Sequence, residues 1–136
     1  MRPELEALTA SWQTRPGAPL AIIRERESAP GIEFPADYVE FMLSSNGGSG
    51  DKGDITIEID AIEEISPGGA PLPELPGIFR FGGDGAEETF AFDGRGDRVA
   101  VVMVRDSIAA EDIIWQGDTF IEFLRNVPLY GRHRGT

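Results

Sequence analysis

Few side chains in this sequence could carry covalent chemistry. The chain holds no cysteine and a single histidine, His133, three residues from the end of 136. A Ser–His–Asp relay needs its imidazole held rigidly between two partners. A histidine inside Tyr-Gly-Arg-His-Arg-Gly-Thr is expected to be a loosely ordered tail residue instead. Gly47-Gly48-Ser49-Gly50-Asp51 fails as a nucleophile elbow, because Asp51 stands where the closing glycine belongs. Phe81-Gly82-Gly83-Asp84 approaches the GGDEF signature of nucleotide cyclases, but Gly85-Ala86 replace its glutamate and phenylalanine. No G-x-x-x-x-G-K-[ST] loop is present, and the one lysine, Lys52, follows no strand that would precede one.

Carboxylates are the abundant functional groups. Asp84, Glu87, Glu88, Asp93 and Asp97 fall within fourteen residues, and calcium takes six to eight oxygens. The spacing matches no EF-hand or repeat loop, so these acids read first as hairpin turns and strand ends. Zinc lacks cysteine and paired histidine. Carboxylate pairs for glycoside hydrolysis would need an apolar pocket to raise one of them, and no such pocket is readable in the sequence. Neither a metal nor a cofactor is expected, and the chain reads as a binding protein and not an enzyme. A calcium-dependent hydrolase is the remote alternative.

The charge points the same way. Twenty-four acidic residues oppose twelve basic ones, for a net of -12. Nucleic-acid binding rests on neutralising phosphates, so nucleic acid is not expected as a partner. A basic protein surface would be drawn in, and an acidic one rejected. The excess is concentrated: residues 51–100 hold twelve acids and four bases, which is -8 of the -12. No apolar run nears the roughly 20 residues of a membrane span, and nothing resembles a secretory h-region. With no cysteine to form disulfides, a cytoplasmic location is expected.

The elements that would position these acids follow from periodicity. Leu5, Leu8 and Trp12 recur at helical spacing, and Leu20 to Ser28 is a second helix ended by Pro30-Gly31. Residues 34–48 form the clearest helix, with Pro35 suited to its first position and Tyr38, Phe41, Met42 and Ser45 on one face. Asn46-Gly47-Gly48 tolerates the left-handed backbone that ends helices. Ser49–Gly53 is a polar, glycine-rich stretch. Ile55, Ile57 and Ile59 then alternate with Thr56, Glu58 and Asp60, as in a strand with one wet face. After a Pro/Gly-rich loop from Ser66 to Gly77, strands are expected at Ile78–Phe81, Glu88–Phe92 and Val99–Val104. The last is apolar on both faces and so belongs centrally in the sheet. Asp93–Asp97 is a hairpin connection, and Ile113–Trp115 reads as one more short strand. A closing helix starts near Thr119, where Thr119 and Glu122 match a capping box, with Phe120, Phe123, Leu124 and Val127 as its stripe. Residues 128–136 read as a flexible tail. The expectation is one domain over residues 1–136. Its class is α+β: an antiparallel or mixed sheet, flanked by N-terminal helices and closed by a C-terminal helix.

Glu27, Gly31, Pro35, Asp37-Tyr38, Phe41-Met42 and Asn46-Gly47-Gly48 stand in the order and spacing of the SUKH signature. Phe81–Gly85 followed by Glu88–Asp93, and Thr119–Leu124, are similar to that family's strand–turn–strand and closing helix. Over residues 20–125 the sequence resembles this superfamily, the relatives of the yeast Smi/Knr regulator and of many bacterial immunity proteins. Phe34 and Pro30 depart from its usual leucine and aliphatic residue. The resemblance implies binding without catalysis, typically neutralisation of a toxin domain, often a nuclease, in a polymorphic or contact-dependent system. A regulatory scaffold without a toxin is the alternative it offers.

A nuclease needs a basic surface to hold phosphate, which an acidic protein can occupy. Partner contacts are therefore expected among Asp51, Asp54, Glu58, Asp60, Asp84, Glu87 and Glu88. Glu58 and Asp60 lie on the wet strand face and the others lie near turns. Homo-oligomerisation through a sheet edge stays open.

Overall fold

The computed structural model describes residues 1–65, 72, 75–105 (Arg105 by its backbone only) and 113–130. His133 and the far end of the tail lie outside these residues, as does most of the Pro/Gly-rich loop. Four α-helices are described: α1 (Pro3–Leu8), α2 (Leu20–Ser28), α3 (Ala36–Ser44) and α4 (Phe120–Asn126). Seven strands are described as well: β1 (Gln13–Thr14), β2 (Gly48–Lys52), β3 (Ile55–Ile59), β4 (Ile78–Gly83), β5 (Glu88–Asp93), β6 (Ala100–Arg105) and β7 (Ile113–Gly117). They form one sheet in chain order, each antiparallel to the next. The fold is α+β, with helices at both ends of the chain and an antiparallel sheet between.

Side chains alternate across a strand, and that alternation sorts the sheet into two faces. Ile57, Ile59, Phe81, Phe90, Phe92, Val101 and Met103 point to the inner face. There they share one buried cluster with Leu5, Ile23, Tyr38, Phe41, Phe120, Phe123 and Leu124 of the helices. Aromatic rings fill its centre: Phe81 stacks on Phe92 at 4.4 Å, and Tyr38 meets Phe92 edge-on at 4.9 Å. Ile78, Ala91, Val102, Val104 and Ile113 point to the outer face and pack under Leu72 and Leu75. Both faces of β6 are thus covered and both its edges paired, which is why a continuous apolar run suits it.

Several local readings change. No strand was expected in the polar stretch Ser49–Gly53, yet Gly48–Lys52 is β2, hydrogen-bonded to β1 and β3. Its glycines serve close approach, for a Cβ on Gly50 would strike the Trp12 ring. Pro35 is the N-cap of α3, not its first helical residue, with φ -53° and ψ 138°. Trp12 does not continue α1, which stops at Leu8; it is buried beyond the helix, edge-on to Phe41 at 5.6 Å.

The start of the expected flexible tail is anchored. The fully buried amide of Gln116 donates to the Leu129 carbonyl at 2.9 Å and accepts the Leu129 N–H at 2.9 Å, as a neighbouring strand would. The carbonyls of Ile114 and Gln116 on this border strand accept from the side chains of Gln116 and Asn126. No described helix is long and apolar enough to cross a membrane.

Candidate partner-binding face

Three side chains of the first half tie the helices to one another and to the turn that follows β3. The Glu27 carboxylate, buried at the end of α2, accepts the Phe34 N–H at 2.6 Å and the Arg24 guanidinium at 2.8 Å, which ties the loop ahead of α3 to α2. Asp37 accepts from the Phe120 N–H at 3.1 Å and the Ile121 N–H at 2.7 Å, joining α3 to the first turn of α4. Asn46 accepts the Ile62 N–H at 2.7 Å and donates to Glu63 at 2.8 Å, pinning the single 3-10 turn after β3. Gly47 has φ +83°, and a Cβ there would lie 2.5 Å from the Ile59 carbonyl. Only glycine lets α3 turn directly into β2 alongside β3.

The β2–β3 hairpin so positioned presents Ser49, Asp51, Thr56 and Glu58 on the outer face, since paired residues share a face. Asp51 accepts the Thr56 hydroxyl at 3.0 Å. Glu58 is exposed, flanked by Ser49 and Gly83 on the neighbouring strands. It leans toward the β4–β5 turn, where a Cβ on Gly85 would come 3.0 Å from Glu58 Oε2. Asp84 shapes that turn by accepting the N–H groups of Ala86 at 2.8 Å and Glu88 at 3.0 Å. Glu87 stands exposed on it. Asp54 and Asp84 together line a cleft of about 480 Å³ with Lys52, Thr56, Pro128 and Tyr130.

The geometry therefore gathers Asp51, Asp54, Glu58 and Asp84 at one end of the outer face, with Glu87 on the same turn as Asp84. Two expected contact residues sit differently. Asp60 accepts from Arg80 at 3.0 Å, so its charge is matched locally. Glu88 is only 6% exposed. Neither feature has a local sequence signal, because Arg80 lies twenty residues away in the chain and Glu88 is the first residue of a strand that begins at a turn.

Lys52 borders the same cleft as Asp54 and Asp84 and is tied down at the end of α4. Its ammonium donates to the carbonyls of Arg125 at 2.7 Å and Val127 at 2.5 Å, at the negative end of α4. Burial pulls its pKa below the usual lysine range. Ser49 and Tyr130 also border the acidic end and were not anticipated; the register of β2 reveals the first and the cleft lining the second. Among the described residues no three acidic or histidine side chains are grouped to hold a metal ion.

The scaffolding residues follow the order of a family pattern, and the comparison with family models decides the matter. The model of the SMI1/KNR4 family (SUKH-1) matches residues 17–126. The chain belongs to that family. No curated protein matches it in a direct search. The matched span runs from just before α2 to the last residue of α4, so the SUKH-1 match includes Glu27, Asp37 and Asn46-Gly47-Gly48 together with the acidic hairpins. In this SUKH-1 protein the signature acids Glu27 and Asp37 accept backbone N–H groups, and their role is to bind elements together. Among the described residues, the outward acids Asp51, Asp54 and Glu58 accept no backbone N–H from another element, and Asp51 bonds the Thr56 hydroxyl within its own hairpin.

Proposed function

We propose that this SUKH-1 protein is a non-catalytic immunity protein of the cell interior, which binds and blocks the basic domain of a cognate toxin. The observation that carries this reading is the acidic end of the sheet, with Asp51, Asp54, Glu58 and Asp84 gathered and the Lys52 ammonium engaged by the Arg125 and Val127 carbonyls. A nucleic-acid-cleaving domain needs a basic groove for phosphate. Carboxylates on a rigid hairpin can fill that groove, so inhibition is steric and electrostatic and no bond is made or broken.

The test takes basic toxin domains encoded by neighbouring genes, selects any that this chain binds, and follows association by stopped flow at several salt concentrations. Reversing Asp51, Asp54 and Glu58 to lysine should slow association at low salt by about 10-fold or more and flatten the salt dependence. An association rate and salt slope unchanged by the triple reversal would overturn the proposal.

A further inference from the structure

The surface changes character at the opposite end of the outer face. A cleft of about 470 Å³ is bounded there by Asp93, Arg95, Arg98, Val102, Ile113 and Trp115. That is the size range of small-ligand and short-peptide sites. Strand pairing puts Asp93 beside Ala100, Val102 beside Trp115 and Val104 beside Ile113, all on the outer face.

Arg95 is built into its position. Its backbone N–H, Nε and one terminal nitrogen donate to Asp93 at 3.0, 2.9 and 2.8 Å. Its stem lies over Gly77, where a Cβ would come 2.6 Å from Arg95 Cγ. Asp93 takes two of the five guanidinium N–H donors, and the rest have no partner among the described residues. Arg98 is exposed and likewise without an acidic partner among the described residues. The floor is aliphatic and buried, from Ala100, Val102 and Ile113. Trp115 forms a half-buried wall, with its indole N–H donated to Asp118 at 3.1 Å.

We infer that this cleft receives a carboxylate carried on an apolar segment of a protein partner, an aspartate or glutamate flanked by aliphatic or aromatic residues. A guanidinium fixed in orientation loses little freedom on pairing with a planar carboxylate. The indole face and aliphatic floor bury the neighbouring apolar side chain. Phosphate fits less well. Asp93 stands in the cleft, so among the described residues that line it Asp93, Arg95 and Arg98 sum to one positive charge, inside a chain of net charge -12. That setting matches a monoanion and leaves one charge of a dianion unmatched. The cleft is separate from the acidic hairpins and stands whether or not a toxin is the partner. A partner lying across both would meet opposite charges at the two ends, which sets its orientation.

The full chain, labelled with nitrogen-15, can be titrated with the capped peptide acetyl-Leu-Asp-Leu-amide, its Asn analogue and inorganic phosphate. The signals to follow are the Trp115 indole N–H and the Arg95 Nε–H. The aspartate peptide should shift both saturably, the Asn analogue should bind about 10-fold more weakly, and phosphate should not compete. Arg98→Gln and Trp115→Phe should each weaken the peptide several-fold while the rest of the spectrum keeps its dispersion. No saturable shift, equal binding of the Asn analogue, stronger binding of phosphate, or unchanged affinity in both variants would each overturn the inference.

Discussion

Asp37 Oδ2 accepts the Ile121 N–H at 2.7 Å across 84 residues of chain, while Oδ1 accepts the Phe120 N–H at 3.1 Å. A side chain of α3 therefore caps α4, which also has its own Thr119 hydroxyl on the Glu122 N–H at 3.0 Å. The carboxylate is almost fully buried, and hydrogen bonds to a charged group at a helix N-terminus are among the stronger ones. Asp37→Ala should cost about 3 kcal/mol in urea unfolding, and Asp37→Asn roughly half of that, because one acceptor oxygen survives. Equal costs for the two variants would contradict the capping role.

Gly50 sits opposite Ile57 under the Trp12 ring, with no room for a methyl group. Gly50→Ala should cost about 2 kcal/mol through overpacking. Gly53, in the turn with φ +60° and open space around it, should cost about 1 kcal/mol on the same change. Near-ultraviolet circular dichroism separates the two, since only the first displaces a buried tryptophan.

The Tyr38 hydroxyl is buried with no hydrogen-bond partner among the described residues. Burial pushes its pKa up, with Asp60 adding to the effect. Removing an unsatisfied hydroxyl removes its desolvation cost, so Tyr38→Phe should leave stability unchanged or raise it by about 1 kcal/mol. Thermal unfolding of the two proteins gives the answer. A loss of stability would mean the hydroxyl has a partner that the described residues do not include.

Glu40 has its carboxyl held below the usual glutamate range, because the Arg2 side chain donates to it and the Arg2 backbone N–H adds a second contact. The unfolded chain binds this proton more readily than the folded one. The pair's contribution to stability is therefore complete above the ordinary glutamate value of about 4.3, and disappears as pH falls through the lowered one. The melting temperatures of the native chain and Glu40→Gln should differ at neutral pH and converge in acid. A gap that is constant down to pH ~3, well below the ordinary glutamate value, would refute this.

Where local chemistry determines an element, the sequence shows it. The limits of α2 at Leu20 and Ser28 match the expectation, because Pro19 precedes the first turn and Pro30-Gly31 follows the last. Thr119 caps α4 as its spacing with Glu122 suggests, and Val101 to Val104 is buried on both faces. β2 is illegible for the opposite reason. Gly-Ser-Gly-Asp-Lys has neither β propensity nor hydrophobic alternation, and β1 and β3 on either side make it a strand. The candidate face divides along the same line. Glu58 is exposed as the alternation of β3 implies, whereas the pairing of Asp60 with Arg80 and the burial of Glu88 depend on residues brought in by the β4–β5 hairpin.

The Gln116 side chain, pressed against Leu129 in the manner of one further peptide unit, finishes the sheet at β7. A foreign extended segment seeking to join the ladder there would first have to evict residues 128–130. The other border, β1, offers only two residues to pair with. Both borders of the described sheet are thus blunted against the edge-to-edge growth that a long, bare strand invites.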